Sequence, residues 1–217
     1  MKVIVFAATK GGTGKTTLAW NTALHAAQRE KVLIGDLDPQ KSLTELWGKR
    51  GEPSNPRLVS NIETVGGSVR LLKEAGYERD YLIVDLPGSI IPIIRDALST
   101  ADLVVLPVQP SPMDLLSQEA MFDLVDDMGL GDRTMFVLNR VQGRSDLYKK
   151  AMEFLKVRTG LDVPVVKNRA DYARAAWSGK GGCDLNKQCR AEIATLWAAI
   201  EKALEKTKPK KVKCADD

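Results

Sequence analysis

Lys10-Gly11-Gly12-Thr13-Gly14-Lys15-Thr16-Thr17 stands one residue after the apolar run Val3–Ala8. Glycines at 11, 12 and 14 let the chain curl so that successive backbone N–H groups point inward at an anion. A helix beginning near Thr16 would add the positive end of its dipole to the same point. Lys15 is placed to neutralise the β- and γ-phosphates of a nucleotide, and the Thr16 hydroxyl to ligate Mg²⁺. Strand, glycine loop and helix in that order are the context such a site requires. A tight glycine turn with no ligand is the bland alternative, and it leaves the two lysines and three hydroxyls unexplained.

Outward from this loop, short β-branched runs alternate with helical patterns. Lys2–Ala8, Lys31–Asp36, Asn61–Val65, Tyr81–Asp85, Leu103–Val108 and Met135–Asn139 read as strands. Several are apolar throughout, as strands buried on both faces of a parallel sheet are. Thr17–Arg29, Gly67–Gly76, Pro92–Thr100, Asp114–Met128, Asp146–Arg158 and Leu185–Glu205 read as helices. The alternation predicts an α/β fold, a doubly wound, mostly parallel sheet with helices on both faces and right-handed crossovers. In such sheets ligands sit beyond the carboxyl ends of the strands. One domain is expected over residues 1–205. The lysine-rich segment 206–217 is expected to be a disordered tail, and the polar loop Gly48–Arg57 to be mobile.

Two more strands end in acids. Ile34-Gly35-Asp36-Leu37-Asp38-Pro39-Gln40 puts two carboxylates just past a buried run, which is costly unless they meet a cation or a water. Tyr81-Leu82-Ile83-Val84-Asp85-Leu86-Pro87-Gly88 has the form of a Walker B strand. Asp85 would hold Mg²⁺ through water, and Pro87-Gly88 would open a loop that senses the γ-phosphate.

Composition bounds the partners. The 217 residues carry 32 basic and 28 acidic side chains, too little net charge and too much apolar content (44%) for a disordered chain. No apolar run approaches the roughly 18 residues of a membrane span, so a cytoplasmic protein is expected. Cys183, Cys189 and Cys214 have no metal-ligand spacing and read as free thiols, and His25 as a packing or surface residue. Charge is uneven along the chain: residues 1–108 carry 13 basic and 12 acidic groups, residues 109–133 one and six, residues 134–217 eighteen and ten. Lys167, Arg169, Arg174, Lys180, Lys187 and Arg190 lie in that basic third, where a polyanion or plain water are the two readings.

The loop departs from the general G-x-x-x-x-G-K-[ST] pattern: Thr9 stands where a glycine is usual, and Lys10 precedes the double glycine. K-G-G-x-G-K-[ST]-[ST] is the deviant Walker A form, and from Met1 to about Ile200 the sequence resembles the ParA/MinD family of P-loop ATPases. The resemblance implies an ATPase that dimerises on ATP, with Lys10 reaching the partner's phosphates. It implies that Lys10, Lys15 and Asp38 are catalytic, Asp38 orienting the attacking water. Lys10 through Thr17 would contact ATP, and Asn139 the adenine. Thr16, Asp36 and Asp85 would serve Mg²⁺. Arg140 is followed by Val141 and Gln142, so the [NT]-K-x-D signature of GTPases is absent. The proline-rich turn Pro107–Asp114 matches that of the small partition ATPases.

Within the family, the segment ahead of Lys10 is too short for a helix-turn-helix domain, and residues 206–217 lack the apolar face of a membrane-binding helix. The small ParA type, similar to ParF, remains. That branch implies non-specific DNA binding through the basic third, nucleoid association, and a ParB- or ParG-like partner that stimulates turnover. Two alternatives stay open. One is a carboxylate-activating synthetase of the cobyrinic acid a,c-diamide synthase or dethiobiotin synthetase type. The other is a ParA-like switch that positions a cargo other than DNA.

Overall fold

The computed structural model describes residues 1–89, 92–143, 145–159 and 163–207. In chain order the elements are β1 (Lys2–Phe6), α1 (Lys15–Ala26), β2 (Val32–Asp36), α2 (Ser42–Lys49), β3 (Arg57–Leu58), α3 (Val65–Glu74), β4 (Tyr81–Asp85), α4 (Pro92–Thr100) and β5 (Leu103–Val108). They continue with α5 (Pro112–Ser117), α6 (Glu119–Asp127), β6 (Thr134–Val141), α7 (Asp146–Thr159), β7 (Val165–Lys167), α8 (Ala170–Ala176), α9 (Gly182–Leu185) and α10 (Lys187–Lys206).

The strands form one seven-stranded sheet in the order β3-β2-β4-β1-β5-β6-β7, and every pairing among the described residues is parallel. Side chains alternate between two apolar layers, which is why the strands read as continuous hydrophobic runs. Val3, Val5, Leu82, Val84, Val104 and Leu106 face α3, α4, α6 and α7. Ile4, Phe6, Ile34, Ile83, Val105 and Val137 face α1 and α10, where Ile193, Leu196, Trp197, Ile200 and Leu204 form the stripe expected of the last helix. The doubly wound architecture is therefore the one the alternation predicts. Register aligns the ends of the central strands: Phe6 pairs with Asp85, and Asp85 with Asp36. The glycine loop and both acidic segments thus leave the sheet at one level, beyond its carboxyl edge.

Three expectations are corrected. Asn61–Val65 is not a strand: Asn61 has φ +57, Thr64 caps α3 by accepting from Gly67 N–H, and the edge strand is the two-residue β3. Asp114–Met128 is not one helix. Gln118, fully buried, turns inward and accepts from Thr9 N–H at 3.2 Å, while Thr9 Oγ1 donates to the Ser117 carbonyl at 2.5 Å; α5 and α6 meet at that joint. The Gly48–Arg57 segment is anchored rather than loose. Trp47 Nε1 donates to the Pro53 and Pro56 carbonyls, and the Asn55 side chain bonds Val32 N–H, Ala27 O and Glu30 O.

Cys183 and Cys189 are buried free thiols, and burial pushes the Cys183 thiol up to about 11. Cys214 and residues 208–217 of the expected tail lie outside the described residues, while α10 continues to Lys206. No helix among the described residues is long and apolar enough to cross a membrane.

Candidate functional site

A cleft of about 450 Å³ opens where β1, β2 and β4 end. It is lined by Gly11, Gly12, Gly14, Lys15, Thr16 and Thr17 from the loop and first turn of α1, by Asp38, Pro39, Gln40 and Ser42 after β2, by Pro87–Ser89 after β4, and by Arg140 from β6. Gly12 and Gly14 have φ +79 and +96, values an L side chain rarely takes. Gly14 is constrained twice over, because a Cβ there would lie 2.2 Å from Asn139 Nδ2. Gly88 closes over the loop: a Cβ would stand 3.6 Å from Gly11 N and 3.7 Å from Lys15 Nζ. Together these glycines leave an open cradle of backbone N–H groups beside the Lys15 ammonium, a geometry suited to a polyphosphate.

The acids divide into two kinds. Asp85 is fully buried, and its Oδ2 accepts from Thr16 Oγ1 at 2.5 Å while Oδ1 has no hydrogen-bond partner among the described residues. Burial pushes its carboxyl up to about 7; the Thr16 hydrogen bond and Lys15 oppose the shift, while Asp36 and Asp38 add to it. A buried carboxylate oxygen with no donor beside a threonine hydroxyl fits an octahedral Mg²⁺ with its waters, which takes hard oxygen ligands. Asp36, also buried, is committed elsewhere. Its Oδ2 accepts from Thr44 N–H and Oγ1, both at 2.9 Å, and its Oδ1 from Asp38 N–H at 3.2 Å. It ties the first turn of α2 to β2 and so fixes the loop that carries Asp38. Asp38 itself is half-buried on the cleft wall, and its carboxylate Oδ1 accepts from Gln40 N–H at 2.9 Å.

Lys10 is exposed and lies off the cleft wall. Its Nζ is 2.7 Å from Asp114 Oδ1, and Ser111 Oγ donates to Asp114 Oδ2 at 2.6 Å. Burial pushes the Asp114 carboxyl up, but these two hydrogen bonds and the charges of Lys10 and Arg140 outweigh it and hold it below the usual range. Thr13 is buried, and its Oγ1 donates to the Lys10 carbonyl at 3.4 Å. Asn139 lines a second cavity of about 120 Å³ beside the first, with Gly14, Leu18, Val166 and Tyr172; its Nδ2 donates to the Thr13 carbonyl at 2.7 Å. The loop is therefore pinned from β6 as well as from β1. The motif pattern gives no sign of that bond.

Five of the six basic residues singled out in sequence surround α8, α9 and the start of α10, with Lys167 ending β7. Lys167, Lys180 and Lys187 are exposed, as is Arg174, whose Nη1 pairs with Asp171 Oδ1 at 3.0 Å. Arg169 is not available in the same way: its Nη2 pairs with Glu192 Oε1 at 2.7 Å, and its Nη1 donates to Gln188. Arg190 donates twice to the Cys183 carbonyl, at 3.2 and 3.0 Å. Trp177, 84% exposed on the same corner, went unmarked in sequence, since one tryptophan carries no periodicity.

Residues 4–181 match the family model described as the CobQ/CobB/MinD/ParA nucleotide binding domain. The maintenance of carboxysome distribution protein A of Halothiobacillus neapolitanus is 31% identical over 179 residues, 78% of this chain and 81% of that protein. Protein ParA of Rhizobium radiobacter is 36% identical over 116 residues, 52% of this chain and 51% of that protein, so the match spans about half of each. A plasmid partition protein of Borrelia burgdorferi B31, solved bound to AMPPNP, superposes with a TM-score of 0.76 over 93% of this chain and 98% of that one, at 20% identity. That last likeness is one of fold.

Proposed function

The chain belongs to the CobQ/CobB/MinD/ParA family of nucleotide-binding domains, and we propose that it is a Mg²⁺-dependent ATPase that positions DNA or another cargo by cycling between an ATP-bound homodimer and a released monomer. The observation that carries this reading is that Lys15, Thr16 and Asp38 line one cleft large enough for a triphosphate, with the buried Asp85 hydrogen-bonded to Thr16 behind its wall. Lys15 and the loop N–H groups bind the β- and γ-phosphates and spread their charge as it develops. Thr16 and Asp85 would hold Mg²⁺, which supplies charge neutralisation to the transferring phosphoryl group when bound. Asp38, which makes no ion pair among the described residues, orients the attacking water. Asn139 suits adenine: one of its two amide hydrogens is held by the Thr13 carbonyl, which orients the side chain and leaves Oδ1 as an acceptor for the 6-amino group.

Lys10 sits outside its own cleft, which suits a residue that acts on a partner's nucleotide in a sandwich dimer. The exposed lysines at 167, 180 and 187 with Arg174 supply a footprint for phosphates of duplex DNA. A ParB- or ParG-like protein is the partner class that would stimulate turnover at the nucleoid in the cytoplasm. A second reading, a switch for a cargo other than DNA, is supported by the likeness to a carboxysome distribution protein. The synthetase alternative is the less favoured branch, because the relatives named above concern partition and distribution.

Release of phosphate from ATP with Mg²⁺ tests the reading, in the wild type and two variants. Lys15→Ala should lose ATP binding. Asp38→Ala should keep binding and lose turnover by about 10²-fold or more. Hydrolysis by Asp38→Ala at the wild-type rate would remove Asp38 from the mechanism.

A further inference from the structure

Arg140 is the one exposed residue of β6, whose seven others are buried. Its φ is +54, in the left-handed region that a strand residue with a long side chain rarely enters. The β6–β7 register shifts between Leu138 and Val141, so Arg140 lies in an irregularity of the kind that redirects a side chain beside active sites. Redirection takes it to a particular place. Arg140 lines both the 450 Å³ cleft and the 120 Å³ cavity that holds Asn139, Leu18 and Tyr172. No hydrogen bond or ion pair among the described residues holds its guanidinium. Its charge is nonetheless close enough to act on Asp114, the residue that holds Lys10.

These observations need a common cause. A residue serving only as surface would be less strained as glycine or asparagine, and a residue serving only the fold would be bonded to it. Backbone strain of this kind is kept where surrounding structure enforces it, and it clusters at ligand clamps. We propose that Arg140 is a nucleotide-binding residue that clamps ATP where its two halves meet. The triphosphate occupies the larger cleft, the base enters the smaller cavity, and the guanidinium lies across the ribose and α-phosphate between them. A planar fork of donors suits that junction, since it bonds phosphate oxygens at two points and can lie flat against a base or sugar, which an ammonium cannot. The proposal rests on the cleft being the ATP site, as argued above.

Calorimetric titration of the full chain with ATP and Mg²⁺, paired with thermal melts without nucleotide, tests it. Arg140→Gly should melt no lower than wild type, because glycine accepts φ +54 without strain, yet bind ATP at least about tenfold more weakly, or about 1.4 kcal/mol. Arg140→Lys, which keeps the charge and loses the fork, should fall between the two. ATP affinity unchanged in Arg140→Gly, with Lys15→Ala impaired in parallel, would overturn the clamp and leave the cleft assignment standing. If Arg140→Gly does not fold, unchanged affinity in Arg140→Lys overturns the fork-based clamp. Failure of the wild type to bind ATP at all would overturn the cleft assignment and the clamp together.

Discussion

Gly14 shows how much one position of the phosphate loop must satisfy. The motif requires a glycine there for backbone conformation, and φ +96 bears that out. The structure adds a steric reason, since Asn139 Nδ2 occupies the space a Cβ would need. Gly14→Ala combines left-handed strain with a clash that would push Asn139 off the Thr13 carbonyl. Chemical denaturation should show a loss of about 1–3 kcal/mol, accompanied by loss of ATP binding. Full stability in that variant would mean the loop can be rebuilt without Asn139. By contrast Gly12, with φ +79 and open space around it, is a glycine for conformation alone. Asp36 and Asp85 look alike in sequence, each an acid at the end of an apolar strand. They differ only in what surrounds them: Thr44 and the Asp38 amide consume Asp36, whereas Asp85 keeps an oxygen without a donor.

At the scale of elements, the helix α5 is the joint between the loop and the rest of the acidic segment. Thr9 bonds its last residue and Gln118 beyond it, and Lys10 bonds Asp114 within it. Met113 and Leu116 on its outer side are 71% and 55% exposed. Lys10 is half in solvent, so its ion pair contributes no more than about 1 kcal/mol. Asp114 is held below the usual carboxylate range, so its contribution is complete above about pH 4 and fades as acid protonates the folded state. Urea melts should therefore find Asp114→Asn less stable than wild type at pH 7, with the gap narrowing as the pH falls below about 4. A gap that stays constant with pH would assign the difference to packing instead of charge. The break at Gln118 was not legible in sequence, because the apolar pattern of 115–128 is that of an unbroken helix. What interrupts it is a bond to Thr9, more than a hundred residues away. The short helices α8 and α9 escaped for the same reason: their place is set by α10 and by the Asn21 side chain, which accepts from Gly182 N–H at 2.8 Å. The central strands and long helices were legible throughout, since two apolar layers write their pattern locally.

For the whole molecule, the surplus of charge over residues 134–217 resolves into used and unused parts. Arg169 and Arg190 hold α8, α9 and α10 together, while Lys180 and Lys187 face solvent. Replacing both lysines with alanine should weaken binding to arbitrary duplex DNA and reduce the slope of log affinity against log salt by about two. Arg169→Ala should instead lower the melting temperature. If the double lysine variant binds DNA with an unaltered salt slope, the footprint lies elsewhere. The family fold, and the gathering of the glycine loop and the strand-end acids at one edge of the sheet, could be read from sequence. Which basic residues are free could not, because that depends on partners such as Glu192 brought in by tertiary packing. Nucleotide state is expected to set association. Sedimentation velocity of Asp38→Ala with Mg²⁺ and ATP, with ADP, and without nucleotide measures it directly. A dimer with ATP and a monomer in the other two conditions is expected; one species of the same mass in all three would contradict the proposed cycle.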